Sequence, residues 1–187
     1  MDHIVLTPAG ERLLAAASDL FYDRGIRAVG VDLIADTAGT TKKTLYDRFG
    51  SKDTLVALYL ERRMQRWQES LLARLGEHPP GAERVVAVFD VLGERLAQQR
   101  RGCAFVNAYA EIGGTDHPGV AVIRSDKEWM RTLFTDLVRE AGATEPERLG
   151  AQLHLLYEGA TVAATAGGQP DSVEVAREAA LRSLVGA

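Results

Sequence analysis

Apolar positions recur at three- and four-residue spacing in one segment of this chain after another, and glycine or proline breaks the pattern between segments. Leu13, Leu14, Ala17, Leu20 and Phe21 share one stripe. It starts behind Thr7, a candidate N-cap, and Pro8 at the first helical position, and it stops at Arg24 before Gly25. Gly30 precedes a short second segment with Val31, Ile34, Ala35 and Ala38 on one side and Gly39 as its break. Thr41 is the candidate cap of a third, in which Leu45 and Phe49 lie four apart and Gly50 is the stop. Ser51 then opens a run free of proline and glycine as far as Gly76. That is about 24 residues, or roughly 36 Å of helix.

Further helices are predicted over residues 82–99, 103–112 and 118–141. The "GGTDHPG" between the last two is a turn cluster. Thr144 with Glu147 reads as a capping box opening an eighth helix, and Asp171 with Glu174 as one opening a ninth. No segment alternates apolar and polar residues for long enough to make a strand, so the expected fold is all-α with about nine helices.

Composition narrows the classes without choosing among them. Hydrophobic residues at 46% and charged residues at 26% are ordinary for a globular chain of 187 residues. No apolar run approaches the roughly 18 residues that span a bilayer. The opening "MDHIVLTPAGERLL" has neither a basic n-region nor an apolar h-region, so no signal peptide and a cytoplasmic location are expected. The single cysteine, Cys103, excludes an intrachain disulfide. It is read as a small buried residue rather than a redox sensor.

A net charge of -4 excludes a chain coated in basic residues, so any nucleic-acid site must be local. Between Thr40 and Lys52 the balance reverses, with Lys42, Lys43, Arg48 and Lys52 against Asp47 alone. Stepping 100° per residue along the third helix puts Leu45 and Phe49 together on a buried face. Lys43 and Asp47 then point the opposite way, Thr44 and Tyr46 stand at the margins, and Lys42 and Arg48 lie nearer the buried side. Lysine and threonine can hydrogen-bond base edges, and tyrosine and lysine can reach phosphate oxygens. Two short helices joined at Gly39 with another packed across them have the size of a helix-turn-helix.

The stretch "AASDLFYDRGIRAVGVDLIADTAGTTKKTLYDRFGSKDTLVALYL", with its "TLYxxFxSK" pattern, resembles the tetracycline-repressor (TetR) family of bacterial transcription regulators. The resemblance implies that residues 41–49 form the recognition helix, capped by Thr41, with Lys42, Lys43 and Thr44 toward the groove. It implies that Tyr46 and Lys52 hold the phosphate backbone. Asp47 and Arg48 depart from the family, which more often has an aromatic or basic residue followed by His at these two positions. Asp47 could accept from a cytosine amine or repel phosphates. The implied organisation is a DNA-binding head over residues 1–52 and a helical ligand-binding and dimerisation body over residues 53–187. The implied partners are a palindromic double-stranded DNA operator, a small-molecule effector and a second copy of the chain. The stretch "RGCAFVNAYAEI" followed by "HPGV" is similar to a recurring but unspecific pattern of the family.

In the body, Asn107, Glu111, His154, Tyr157 and Glu158 occur among apolar helices that also carry Trp67, Phe89, Phe105, Trp129 and Phe134. That mixture suits a pocket with apolar walls and a few orienting polar groups, and it equally suits an aromatic core. The last two helices carry small and apolar residues on more than one side: Leu149, Leu153, Leu156, Ala160 and Ala164, then Val173, Ala176, Ala180 and Leu184. A helix apolar on two faces needs a second partner, either another subunit or the interior of the same one. His3, His78, His117 and His154 are scattered, so no metal site is expected. "GTTKKT" lacks the P-loop spacing, and no catalytic constellation stands out, so neither a cofactor nor an enzyme is expected. Two readings compete with a ligand-released repressor. One is an all-α small-molecule-binding or catalytic protein with no DNA role, and the other is a DNA-binding regulator that responds to no ligand.

Overall fold

The computed structural model describes residues 6–99 and 101–185. These form α1 (Pro8–Arg24), α2 (Val31–Thr37), α3 (Lys42–Phe49), α4 (Lys52–Leu75), α5 (Ala82–Gln98), α6 (Ala104–Ile112), α7 (Gly119–Glu140), α8 (Pro146–Thr165) and α9 (Ser172–Val185), with no strand among the described residues. Side-chain caps set three of the starts. Thr7 Oγ1 accepts from the Gly10 N–H at 3.3 Å, Thr41 Oγ1 from the Thr44 N–H at 3.1 Å, and Ser51 Oγ from the Thr54 N–H at 3.0 Å.

The capping box expected from Thr144 and Glu147 does not form. Pro146 takes the first helical position, where a missing N–H costs nothing, and Glu145 becomes an N-cap with no side-chain hydrogen bond. Glu147 therefore falls at the second helical position instead of the third, and its carboxylate meets the Arg139 guanidinium at 3.0 Å.

The helices assemble into two compact units. The first comprises the described residues of Met1–Met64 with Ala104–Arg124, and the second Gln65–Cys103 with the described residues of Ser125–Ala187. In the first, α1, α2 and α3 pack on one another, on the beginning of α4 and on α6. Leu13, Leu14, Ala17, Phe21, Ile34, Leu45, Phe49, Leu55 and Leu60 are buried there. In the second, α5, α8 and α9 enclose Val88, Phe89, Leu92, Phe134, Leu153, Tyr157 and Ala180 together with the later part of α7. Burying each phenylalanine is worth about 1.5–3 kcal/mol, so the aromatic residues carry much of this core.

Candidate nucleic-acid interface

Gly39, at φ +59°, turns the chain between α2 and α3 in a backbone region that side chains with a Cβ rarely adopt. Across that turn the Thr40 N–H donates to the Ala35 carbonyl at 3.0 Å, so α3 leaves α2 in a defined direction. Leu45 and Phe49 hold α3 down by burial. The side chains of Thr41, Lys42, Lys43, Tyr46, Asp47 and Arg48 are exposed, and Thr44 is half-buried at the edge. The outer face thus carries donors and acceptors suited to base edges and phosphates, at the scale of a groove-reading helix.

Both lysines on this face are already partnered. Lys43 Nζ lies 2.7 Å from Asp47 Oδ2, one turn along α3. Lys42 Nζ lies 3.2 Å from the Asp32 carboxylate in the first turn of α2. Helical period accounts for the first pair. The second requires α2 and α3 to be placed in space, because Asp32 lies ten residues before Lys42 on a different helix.

Lys52 is placed differently from the other cations. Its Nζ donates to the Ile26 carbonyl at 2.6 Å and stands 5.9 Å from the Phe21 ring centroid. Burial lowers its pKa, and Asp53 and Glu111 oppose that shift. Its ammonium is therefore a tether for the turn after α1. The same turn is gripped from the other side by Glu111 of α6, which accepts from the Ile26 and Arg27 N–H groups at 2.9 and 2.7 Å. Gly25 makes room for that carboxylate, because a Cβ there would lie 2.9 Å from Glu111 Oε1. Sequence reasoning placed Glu111 among pocket residues; nothing local in the sequence pairs it with a turn 85 residues earlier.

The residues considered for a ligand pocket separate into two groups. Trp67, Phe89, Trp129, Phe134, His154, Tyr157 and Glu158 belong to the second unit, whereas Phe105 and Asn107 belong to the first. Phe105 is buried, and Asn107 lines a shallow cleft with Phe21, Tyr22, Ile26, Tyr59 and Glu111. In the second unit Phe89, Phe134 and Tyr157 form a triad with ring centroids 5.8 to 6.5 Å apart. The Arg95 guanidinium lies 4.0 Å from the Trp67 ring centroid, and Trp129 is half-buried against the same core.

Beside the aromatic triad lies a polar cluster that sequence reasoning saw only in part. Lys127 Nζ reaches Glu158 Oε1 at 2.9 Å, Cys103 Sγ at 3.6 Å and Asp126 Oδ2 at 3.7 Å. Burial disfavours the Lys127 charge, but Cys103, Glu158 and Asp126 outweigh it and raise the pKa. For Glu158, burial is likewise outweighed by His154 and Lys127, which hold its pKa low. Asp126 is almost fully buried and its Oδ1 finds no hydrogen-bond partner among the described residues, while His154 Nε2 lies 3.5 Å from Glu158 Oε1. Asp126 and Lys127 sit in a polar stretch of α7 that reads as solvated surface in the sequence, so nothing there announced them.

Burial raises the pKa of Asp126, with Lys127 and Arg95 opposing and Glu158 adding. A carboxyl whose pKa rises on folding holds its proton more tightly in the folded state. Stability from this residue is therefore greatest below the ordinary carboxylate range and falls as pH climbs through the raised value. Asp126→Asn is expected to remove that decline. Thermal melts across pH should show the wild type losing stability relative to the variant as pH rises; parallel curves would refute the assignment.

The positions considered for a subunit interface are largely occupied within one chain. Leu149, Leu153, Ala160, Ala176 and Ala180 are buried in the second unit. Leu156, Val173 and Leu184 are partly buried against the same core, and Ala164 is half-buried. The apolar side chains that α8 and α9 leave open are instead Leu155, Val162, Val175 and Leu181. Among the described residues no helix is long and apolar enough to cross a membrane, and no group of three His, Cys, Asp or Glu side chains could hold a metal ion.

Comparison with known proteins converges on one family. The family model described as "Bacterial regulatory proteins, tetR family" matches residues 13–59, from α1 into α4. The HTH-type transcriptional activator FasR of Mycolicibacterium smegmatis is 30% identical over 146 residues, which is 75% of this chain and 65% of FasR, so the chain spans just under two thirds of that relative's length. The HTH-type transcriptional repressor KstR2 of the same species is 27% identical over 158 residues, covering 80% of this chain and 74% of KstR2. SCO4454, a TetR-family transcriptional regulator from Streptomyces coelicolor, superposes with a TM-score of 0.81 at 31% identity, over 96% of this chain and 93% of that one. With the N-terminal helix-turn-helix matched by the family model and an all-α fold shared along nearly the whole length with SCO4454, the chain belongs to the TetR family of bacterial regulatory proteins.

Proposed function

We propose that the protein is a homodimeric, cytoplasmic transcriptional repressor that binds a palindromic operator and is released from it by a small, largely apolar effector. The observation that carries the DNA-binding part is α3, whose buried Leu45 and Phe49 leave Lys42, Lys43, Tyr46, Asp47 and Arg48 exposed together on a helix set off by the Gly39 turn. In this reading residues 1–52 are the DNA-binding head and residues 53–187 bind the effector and the second subunit. Two heads related by a two-fold axis read two half-sites of a palindrome. In this reading the effector's apolar part enters among the packed rings of Phe89, Phe134 and Tyr157, which must part to admit it, and a polar group on it can meet Asp126 Oδ1. Release requires that the effector prefer a conformation in which α4 sets the two heads at the wrong separation, since equal affinity for both states shifts nothing.

Selection of bound duplexes from random DNA tests the DNA-binding part. A palindrome with α3-dependent positions is expected, and failure to enrich any sequence would refute it. In that operator Lys43→Ala should cost about 1–3 kcal/mol at one symmetric pair of positions. Equal losses on operator and random duplex would reduce Lys43 to a source of charge.

A further inference from the structure

The outward face of α3 carries a carboxylate where a DNA-binding helix gains most from positive charge. Asp47 is exposed, and its Oδ2 lies 2.7 Å from Lys43 Nζ. Asp32 does the same for Lys42 from α2, at 3.2 Å. Both lysines that would meet the duplex are thus neutralised within their own unit. Every duplex presents phosphates, and a carboxylate on the docking face is repelled by all of them, so Asp47 weakens the sequence-independent part of binding. One feature of the major groove reverses that sign. The N4 amine of cytosine donates to a carboxylate, whereas the adenine amine sits beside the N7 acceptor, which repels one.

We propose that Asp47 is a specificity-determining residue of α3: on random duplex it holds Lys43 and repels phosphates, and at the operator it accepts from a cytosine N4 amine and frees Lys43 for a neighbouring acceptor. The inference rests on the DNA-binding reading given above. It gives the polar outer face a division of labour, in which Asp32 lowers affinity for any duplex and Asp47 lowers it for every duplex lacking the matching cytosine. The Lys43–Asp47 spacing of one helical turn makes the exchange local, because α3 need not move for the pair to open.

The test selects duplexes from random DNA with the wild type, Asp47→Asn and Asp32→Asn. Each protein is then titrated with its selected duplex and a random one at several salt concentrations. The wild type should require cytosine at one symmetric pair of positions. Asp47→Asn should lose that requirement, bind random duplex about three- to tenfold more tightly at low salt, and steepen the salt slope by about one charge. Asp32→Asn should tighten binding to both duplexes and keep the cytosine. The proposal is overturned if Asp47→Asn retains the wild-type base preference, or if the two variants behave alike. Asp47→Ser serves as a second neutral variant should the amide itself hydrogen-bond a base. A wild type that enriches no sequence at all would refute the DNA-binding reading, a result distinct from either of these.

Discussion

Leu155→Arg and Val162→Arg should each produce a folded monomer that has lost about 10²–10⁴-fold of its operator affinity, the gain that joining two half-site contacts provides. Leu155 is 71% exposed and Val162 45%, seven residues apart on one face of α8 with the open Gly159 between them. Val175 and Leu181 are also exposed, on α9, which packs against α8. A two-fold dimer buries such a patch against its own copy, so an arginine there faces its symmetry mate without a counter-charge. Because these side chains touch little within the subunit, helicity and melting temperature should hold while sedimentation and DNA titration change together. Ala160→Arg would give the opposite outcome. Ala160 is 5% exposed, and its variant should unfold the second unit before any interface is tested. A Leu155→Arg protein that stays dimeric would place the interface elsewhere.

Gly150→Ala should destabilise the fold more than its single methyl group suggests. Gly150 is where α8 meets α7, and a Cβ there would lie 2.6 Å from Thr135 Cα and 2.7 Å from Thr135 N. Backbone cannot rotate away as a flexible side chain can, so the two helices must separate. The cost is about 1–3 kcal/mol or more by the usual toll of overpacking, or roughly 2–4 °C of melting temperature per kcal/mol for a chain of this size. Gly93→Ala is the control. A Cβ there meets only Val173 Cγ1 at an ordinary 3.6 Å, so its helix propensity should show, with a gain of about 0.5–1 kcal/mol. Calorimetry that found the two variants equally stable would disprove the close approach of α7 and α8.

Helical period sorted the residues of α3 into an inner and an outer side because one helix face is a local property, readable from spacing alone. The positions of nearly all helix ends were legible for the same reason, since caps and glycine stops act within a few residues. The start of α8 was misread where two local signals competed, and the fixed ring of Pro146 prevailed over the Thr144 hydroxyl. Pairings between distant segments were not legible. Glu111 meets the turn at Ile26, Lys42 meets Asp32, and Lys127 gathers Cys103 and Glu158, each through the placement of whole helices.

The apolar residues of α8 and α9 illustrate the same boundary. Composition alone showed that these helices need more than one partner. It could not say that Leu153, Ala160 and Ala180 are satisfied within the subunit while Leu155 and Val162 are left open, because that depends on where α5 and α7 lie. By itself, then, the sequence determined the all-α fold, the helix-turn-helix and the polar outer side of α3, because capping, glycine turns and a 3.6-residue period are short-range effects. Tertiary structure alone decided which charges are already paired, that Lys52 tethers a turn, and which apolar side chains remain exposed. Ion pairing and burial depend on distances between helices, which no spacing along one helix encodes.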